Sequence, residues 1–326
     1  VYASVATDCQ GHVAKDTEVA YSNTASGVTC EKHEIDKFGV CPKCGYFDYS
    51  LMPRDEKEHK FTLSSEKDFW LAEGQNRMAR GTFYDMKLLA DVTLNADSSH
   101  VFNNDNWYGG TFDGQGHELT INFVNAPNGA SLLPQLQGTV KNLTMHGLIS
   151  GIGKNYASVA CQTRAATAKI ENVYSDVVIE TTYAGDATNG GLIAVVETKT
   201  AIDNSIYNGS IVSTTQSTTN CGGLVGWCND NVYLTNCAFT GTIVDVTDNT
   251  YSIARNPSKL VMKNTYYVNA YTPDGGNLNG ATQVDASAVE SGELAFMLNG
   301  EVSGYEGGFY QAIGKDKAPY TVELNH

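Results

Sequence analysis

The chain has 326 residues, with 36 acids against 21 bases and a formal net charge of −15 at pH 7. That length suits one large domain or two smaller ones, and the acidic balance excludes a face built for nucleic acid or for an anionic membrane. Apolar residues at 41% supply a core, while charged residues at 17% fall below the ~25% usual in globular proteins, Gly, Thr, Asn, Ser and Tyr filling the gap. This mix suits turn-rich β structure. No apolar run reaches the ~20 residues of a membrane span. No secretory leader opens the sequence, which leaves an intracellular chain or a mature, trimmed one.

Residues 1–60 read as a small Cys/His module that cannot bury much core unaided. Its cysteines are Cys9, Cys30, Cys41 and Cys44, set among His12 and His33. The spacing Cys30-x2-His33-x7-Cys41-x2-Cys44 has the shape of a zinc knuckle. Two thiolates converge at the turn, and the preceding Cys-x2-His completes a closed tetrahedral set. Cys9 and His12 form an alternative pair. A closed site is structural, because no position is left for substrate. The competing reading is a disulfide, favoured in an oxidising compartment.

Residues 61–83 carry a helix signal. Ser65 and Asp68 make a capping box. Phe69, Ala72, Asn76 and Ala79 follow at helical spacing with Trp70 beside them, and Gly81 is placed to stop the helix. The expected role is a plug on the open first end of the repeat region downstream.

From 84 to 286 the sequence repeats. An apolar residue precedes Asn142, Asn172, Asn204, Asn236 and Asn264, each followed by an alternating strand, at spacings of 30, 32, 32 and 28 residues. A second landmark, GGLIAVV at 190–196 and GGLVGWC at 222–228, shares the period, with SVACQ at 158–162 as a degenerate copy. A period near 30 indicates a solenoid, propeller or array. Period-two alternation excludes helical repeats, the leucine grid of leucine-rich repeats is missing, and propeller blades need about 40 residues. A parallel β-solenoid of roughly six coils remains, with the Asn residues stacked at one corner. Residues 287–326 break the pattern and read as a C-terminal cap.

Several segments together resemble a known family. WYGGTFDGQGHELTI (107–121), the Gly-Gly-Leu-Val-Gly at 222–226, SGELAFMLNG…GFYQAIGKDKAPY (291–320) and CEKHEIDKFGVCPKCGY (30–46) occur in the order seen in bacterial surface proteins with GLUG repeats. The resemblance implies a right-handed parallel β-helix in a secreted or surface-exposed protein, commonly adhesin-like or in contact with polysaccharide. It does not imply one chemistry. Only one GGLVG copy is complete.

The downstream cysteines read as core. In the repeat Cys161 aligns with Ile193 and Val225, and Cys228 with Val196. For catalysis, a β-helix hydrolase needs converging carboxylates, and a lyase a carboxylate-bound cation with an Arg or Lys base. Asp113 with His117, Asp176, Asp186, Asp203 and Asp245 are the candidate acids. Lys154, Arg164 and Arg255 are the candidate bases, and they fall in different coils. Aromatic side chains favour binding instead, since sugar rings stack on them. Trp107, Tyr108 and Trp227 are the candidate contacts, Trp227 aligning with Val195 and Thr163 in the repeat. The sequence thus predicts a monomeric, extracellular, non-catalytic β-helix that touches a glycan or a surface protein. A polysaccharide-degrading enzyme and a structural stalk are the alternatives.

Overall fold

The computed structural model describes residues 32–44, 46, 48–51, 54–55, 58, 60–78, 84–98, 107–213, 219–244, 246–271, 278, 280–301 and 308–322. The chain winds as a β-solenoid of about six turns with few helices. The principal sheet stacks one strand from each coil in sequence order: Asp85–Leu88, Thr111–Asp113, Thr139–Gly151, Lys169–Ser175, Thr200–Tyr207, Val232–Phe239, Leu260–Tyr267 and Ala281–Gln283. All of these neighbours pair in parallel. A five-stranded sheet of Trp107–Tyr108, Leu133–Leu136, Ala160–Thr163, Ile193–Val196 and Val225–Cys228 forms another wall. Parallel pairing requires a long return path between strands, and here the rest of each coil supplies it.

The repeat follows from side-chain alternation. Phe112, Val140, Ile170, Ile202 and Leu234 occupy one register column and are buried, so each coil's apolar residue rests on the last. In a second column the rings of Tyr207 and Phe239 lie nearly parallel, their centroids 6.1 Å apart.

The repeated asparagines mark the corner for a reason beyond stacking. Asn142, Asn172, Asn204, Asn236 and Asn264 all have φ between 46° and 53°. This left-handed conformation bends each strand, and asparagine tolerates it better than any other residue with a side chain except aspartate. The side chains then form two hydrogen-bonded runs. Asn172 donates to Asn142 (3.0 Å) and Asn142 to Asp113 (3.0 Å). Asn264 donates to Asn236 (2.9 Å) and Asn236 to Asn204 (2.8 Å).

The helix α1 (Glu66–Met78) is capped as its sequence specifies. Asp68 N–H donates to Ser65 Oγ (3.2 Å), and the Asp68 carboxylate accepts from Ser64 N–H (2.9 Å). Ala79 and Gly81 lie outside the described residues. Phe69 meets Phe112 edge-on at 6.3 Å and Trp70 lies 6.5 Å from Phe123, so α1 packs on the first coils.

The C-terminal residues take a course the sequence did not suggest. The helices α2 (Ala286–Ser291) and α3 (Glu293–Leu298) and residues 308–322 lie along the outside of the principal sheet. Val289, Leu294, Leu298, Phe309 and Ala318 pack against Tyr174, Ile206 and Ala238, an outward apolar column. At one end Asn264 Nδ2 meets the Leu298 carbonyl (3.1 Å). At the other Thr321 Oγ1 donates to the Asn172 carbonyl (3.1 Å), and the Tyr174 and Tyr320 rings lie 4.2 Å apart. The segment is a strap that crosses several coils.

Candidate functional site

The Cys/His turn brings three of its predicted ligands together. His33, Cys41 and Cys44 place their ligating atoms within 4.8 Å of one another. Among the described residues this is the one such group of three or more His, Cys, Asp or Glu. Cys44 Sγ lies 3.3 Å from His33 Nδ1, and the Tyr46 ring stacks on His33 at 4.0 Å. Burial opposes ionisation of the Cys41 thiol. Bonds from the backbone N–H groups of Cys44, Lys43 and Glu34, with His33 adding a further one, outweigh it and bring its pKa down to about 6. A thiolate beside an imidazole and a second sulfur is a donor set suited to a thiophilic cation. Cys30, Cys9 and His12 lie outside the described residues.

The tryptophan candidates divide. Trp107 is 49% exposed, but Tyr108, its neighbour along the strand, faces inward and is 4% exposed. The Tyr108 hydroxyl donates to the Tyr84 carbonyl (3.3 Å). Tyr108 is therefore a core residue and presents no surface to a ligand. Strand alternation forces this, since successive side chains point to opposite faces. Trp227 points outward and is half-buried. The Arg255 guanidinium lies 4.9 Å from its ring centroid, and Val195 packs beside it. Its Nε1–H donates to Asn229 Oδ1 (2.7 Å), and Asn229 donates on to Glu197 (2.7 Å).

The register places both tryptophans in one column, Trp107, Gln135, Gln162, Val195 and Trp227, in which Gln135 and Val195 are buried and Trp107, Gln162 and Trp227 reach the surface. Four strand spacings put them ~19 Å apart along the solenoid axis. Gln162 stands between them with Arg164, whose guanidinium donates to its side-chain oxygen (2.9 Å). The same register corrects two alignments. Gln162, not Thr163, pairs with Val195, and Ala160, not Cys161, pairs with Ile193. The coils there differ by one residue in length, which shifts every side chain by one position. Cys161 is buried even so.

Among the described residues the candidate acids and bases each have a local partner. Asp113 accepts from Asn142 and from Gln115 N–H (3.0 Å) and lies 3.4 Å from Lys141. His117 sits 3.1 Å from Asp91. Asp176 bonds His146 Nδ1 at 2.7 Å, with Glu118 3.9 Å from Nε2. Asp186 takes both terminal nitrogens of Arg255 (2.8 and 3.1 Å), and burial of this carboxyl is outweighed by Arg255 and Thr188, which hold its pKa below the usual range. Lys154 lies over the Tyr183 ring at 5.7 Å. Asp245 lies outside the described residues.

One pair escaped the sequence reading. Glu171 and Asp203 are register neighbours on adjacent coils, and Lys169 bridges them at 3.1 Å each. Two carboxylates and a lysine are the parts of a lyase. Burial works against the lysine's charge, but Asp203 and Glu171 raise its pKa, so the pair holds Lys169 as an ammonium.

The geometry defines the class: a parallel β-solenoid with a Cys/His turn suited to a metal and two tryptophans in one register column. No family model matches the chain, and no curated protein does. Among solved structures it is similar to a Bacteroides ovatus protein described as a "putative immunoglobulin A1 protease". That likeness covers 83% of this chain and 94% of the other, with a TM-score of 0.52 and 14% identity, and it is a likeness of fold. No helix among the described residues is long and apolar enough to cross a membrane.

Proposed function

We propose that this is a secreted or surface-exposed, non-catalytic solenoid of the adhesin-like, GLUG-repeat kind that contacts a polysaccharide through the strip from Trp107 to Trp227. The observation that carries the reading is the shared column of the two tryptophans. An aromatic ring at one end, Gln162 and Arg164 in the middle, and Trp227 with Asn229 and Glu197 at the other combine stacking surface with groups that bond hydroxyls.

His33, Cys41 and Cys44 would hold a structural zinc ion in this reading, with a fourth ligand from Cys30 or from the Cys9/His12 pair. The ion would supply a tetrahedral cross-link between the two ends of the turn and no chemistry on a substrate.

Separate pairing of Asp113, Asp176, Asp186 and Asp203 supports binding over sugar cleavage. The description of the structural neighbour makes proteolysis the other enzymatic alternative. Burial pushes the Cys161, Cys228 and Cys237 thiols up to about 12, which argues against a cysteine nucleophile among these three.

The test incubates the protein with a panel of host and plant polysaccharides and with immunoglobulin A1. Retention on a polymer without new sugar ends or peptide fragments is the expected result. Cleavage of either substrate would overturn the non-catalytic reading, and absence of both retention and cleavage would favour a structural stalk.

A further inference from the structure

We propose that the Cys/His turn is a metal-operated lock on the N-terminal plug, so that filling His33, Cys41 and Cys44 with a thiophilic divalent cation stabilises the first coils as well as the turn. The proposal rests on the metal reading above and adds a coupling to it.

The turn is built to transmit position. Between its ligands, the Asp36 carboxylate accepts from Phe38 N–H (2.9 Å) and Val40 N–H (3.0 Å). Asp36 N–H donates to the Val40 carbonyl (2.9 Å), and Cys41 N–H to the Tyr46 carbonyl (2.7 Å). Asp48 N–H reaches back to the Gly39 carbonyl (2.9 Å). The loop tip at Lys37 and Phe38 is thereby tied to the ligand positions at His33, Cys41 and Cys44.

That tip rests on α1. The Phe38 ring meets Trp70 edge-on at 5.9 Å, and the Lys37 ammonium lies 4.4 Å from the Trp70 ring centroid. The Phe38 carbonyl oxygen lies so close over Gly74 that a Cβ there would collide with it. Glycine in a helix interior costs about 1 kcal/mol against alanine, and this close approach is what it permits. From Phe69 to Asn76 every residue of α1 is buried, including Glu73, Gln75 and Asn76. Trp70 contacts Phe69, and both reach core aromatics of the coils, so the ligands and the core are joined through α1.

The lock is tested with Zn2+ alone on the full chain. Zinc uptake is measured by competition with a chelating dye, and melting of the β signal by circular dichroism. The expected result is one equivalent bound and a midpoint raised by about 4 °C at a hundredfold excess over the dissociation constant. In Phe38→Ala, and in Gly74→Ala, zinc should still bind while the shift in the β transition disappears. Phe38→Ala keeps the test readable if Gly74→Ala does not fold. Zinc bound to the wild type without a shift, or an undiminished shift in Phe38→Ala, would overturn the lock and leave the metal site standing. No zinc uptake by the wild type would remove the metal site and the lock together.

Discussion

Asn236 accepts a hydrogen bond from Asn264 at 2.9 Å and donates one to Asn204 at 2.8 Å, linking three successive coils through one side chain. Its φ of 53° adds a backbone requirement to the hydrogen bonds. The two demands can be separated. Asn236→Ala should lose both and cost ~3–4 kcal/mol, from about 1–2 for left-handed backbone and about 1 for each bond. Asn236→Gly removes the backbone penalty and should recover roughly 1 kcal/mol of that loss. Urea denaturation of the three proteins checks the ordering.

The corner asparagines also show what was legible in the sequence. Their period near 30 revealed the coil, and alternation gave the inward columns. The left-handed backbone at each Asn was not visible, because a period reports position and not φ. The tryptophan column was hidden for a related reason. Residues 107 and 227 are joined by coils of unequal length, and only strand register counts those coils correctly. Tyr108 was misplaced because an aromatic residue's direction depends on the phase of a two-residue strand. The strap was legible as a break in the repeat, but its course depends on an apolar outward column, Tyr174, Ile206 and Ala238, whose face the sequence could not assign.

That strap predicts a change in cooperativity. Solenoid coils otherwise stabilise only their neighbours, whereas the strap contacts both Asn264 and Asn172. A chain ending after Gln283 should expose Tyr174, Ile206 and Ala238, bind a hydrophobic dye, and unfold in a broader transition. The single change Phe309→Ala should cost ~3–5 kcal/mol if the strap is held as the native packing shows. A sharp, unshifted transition in both would contradict the strap's role.

The His146–Asp176 pair predicts a pH dependence of defined sign. The hydrogen bond that His146 donates to the Asp176 carboxylate raises the imidazole pKa, burial works against it, and the charges of Asp176 and Glu118 add to the rise. A raised folded pKa means that the stabilisation is fully present below the unfolded value, near 6.5, and is lost as pH rises through the higher folded value. His146→Gln should flatten that part of the stability profile. The check is the denaturation midpoint of both proteins between pH 5 and pH 9, a range set by the direction of the shift and ~6.5 as its lower reference.

The Cys41 thiol, brought down to about 6, predicts how the turn takes up metal. Above that pH the sulfur is already a thiolate, so zinc need not displace its proton. Displacement of the Cys41 proton should therefore add to the pH dependence of zinc affinity only below about pH 6. Competition titrations across that range provide the check. Cys41→Ser should weaken binding by more than tenfold, an order of magnitude that corresponds to ~1.4 kcal/mol.

The most direct test of the non-catalytic solenoid is retention of wild type and Trp107→Ala on the best-retained polysaccharide, with new sugar ends counted in the same tube. Loss of one stacking ring, worth about 0.5–1.5 kcal/mol, should weaken retention by up to about tenfold, with no ends released by either protein. Release of sugar ends by the wild type would contradict the account, as would full retention of Trp107→Ala.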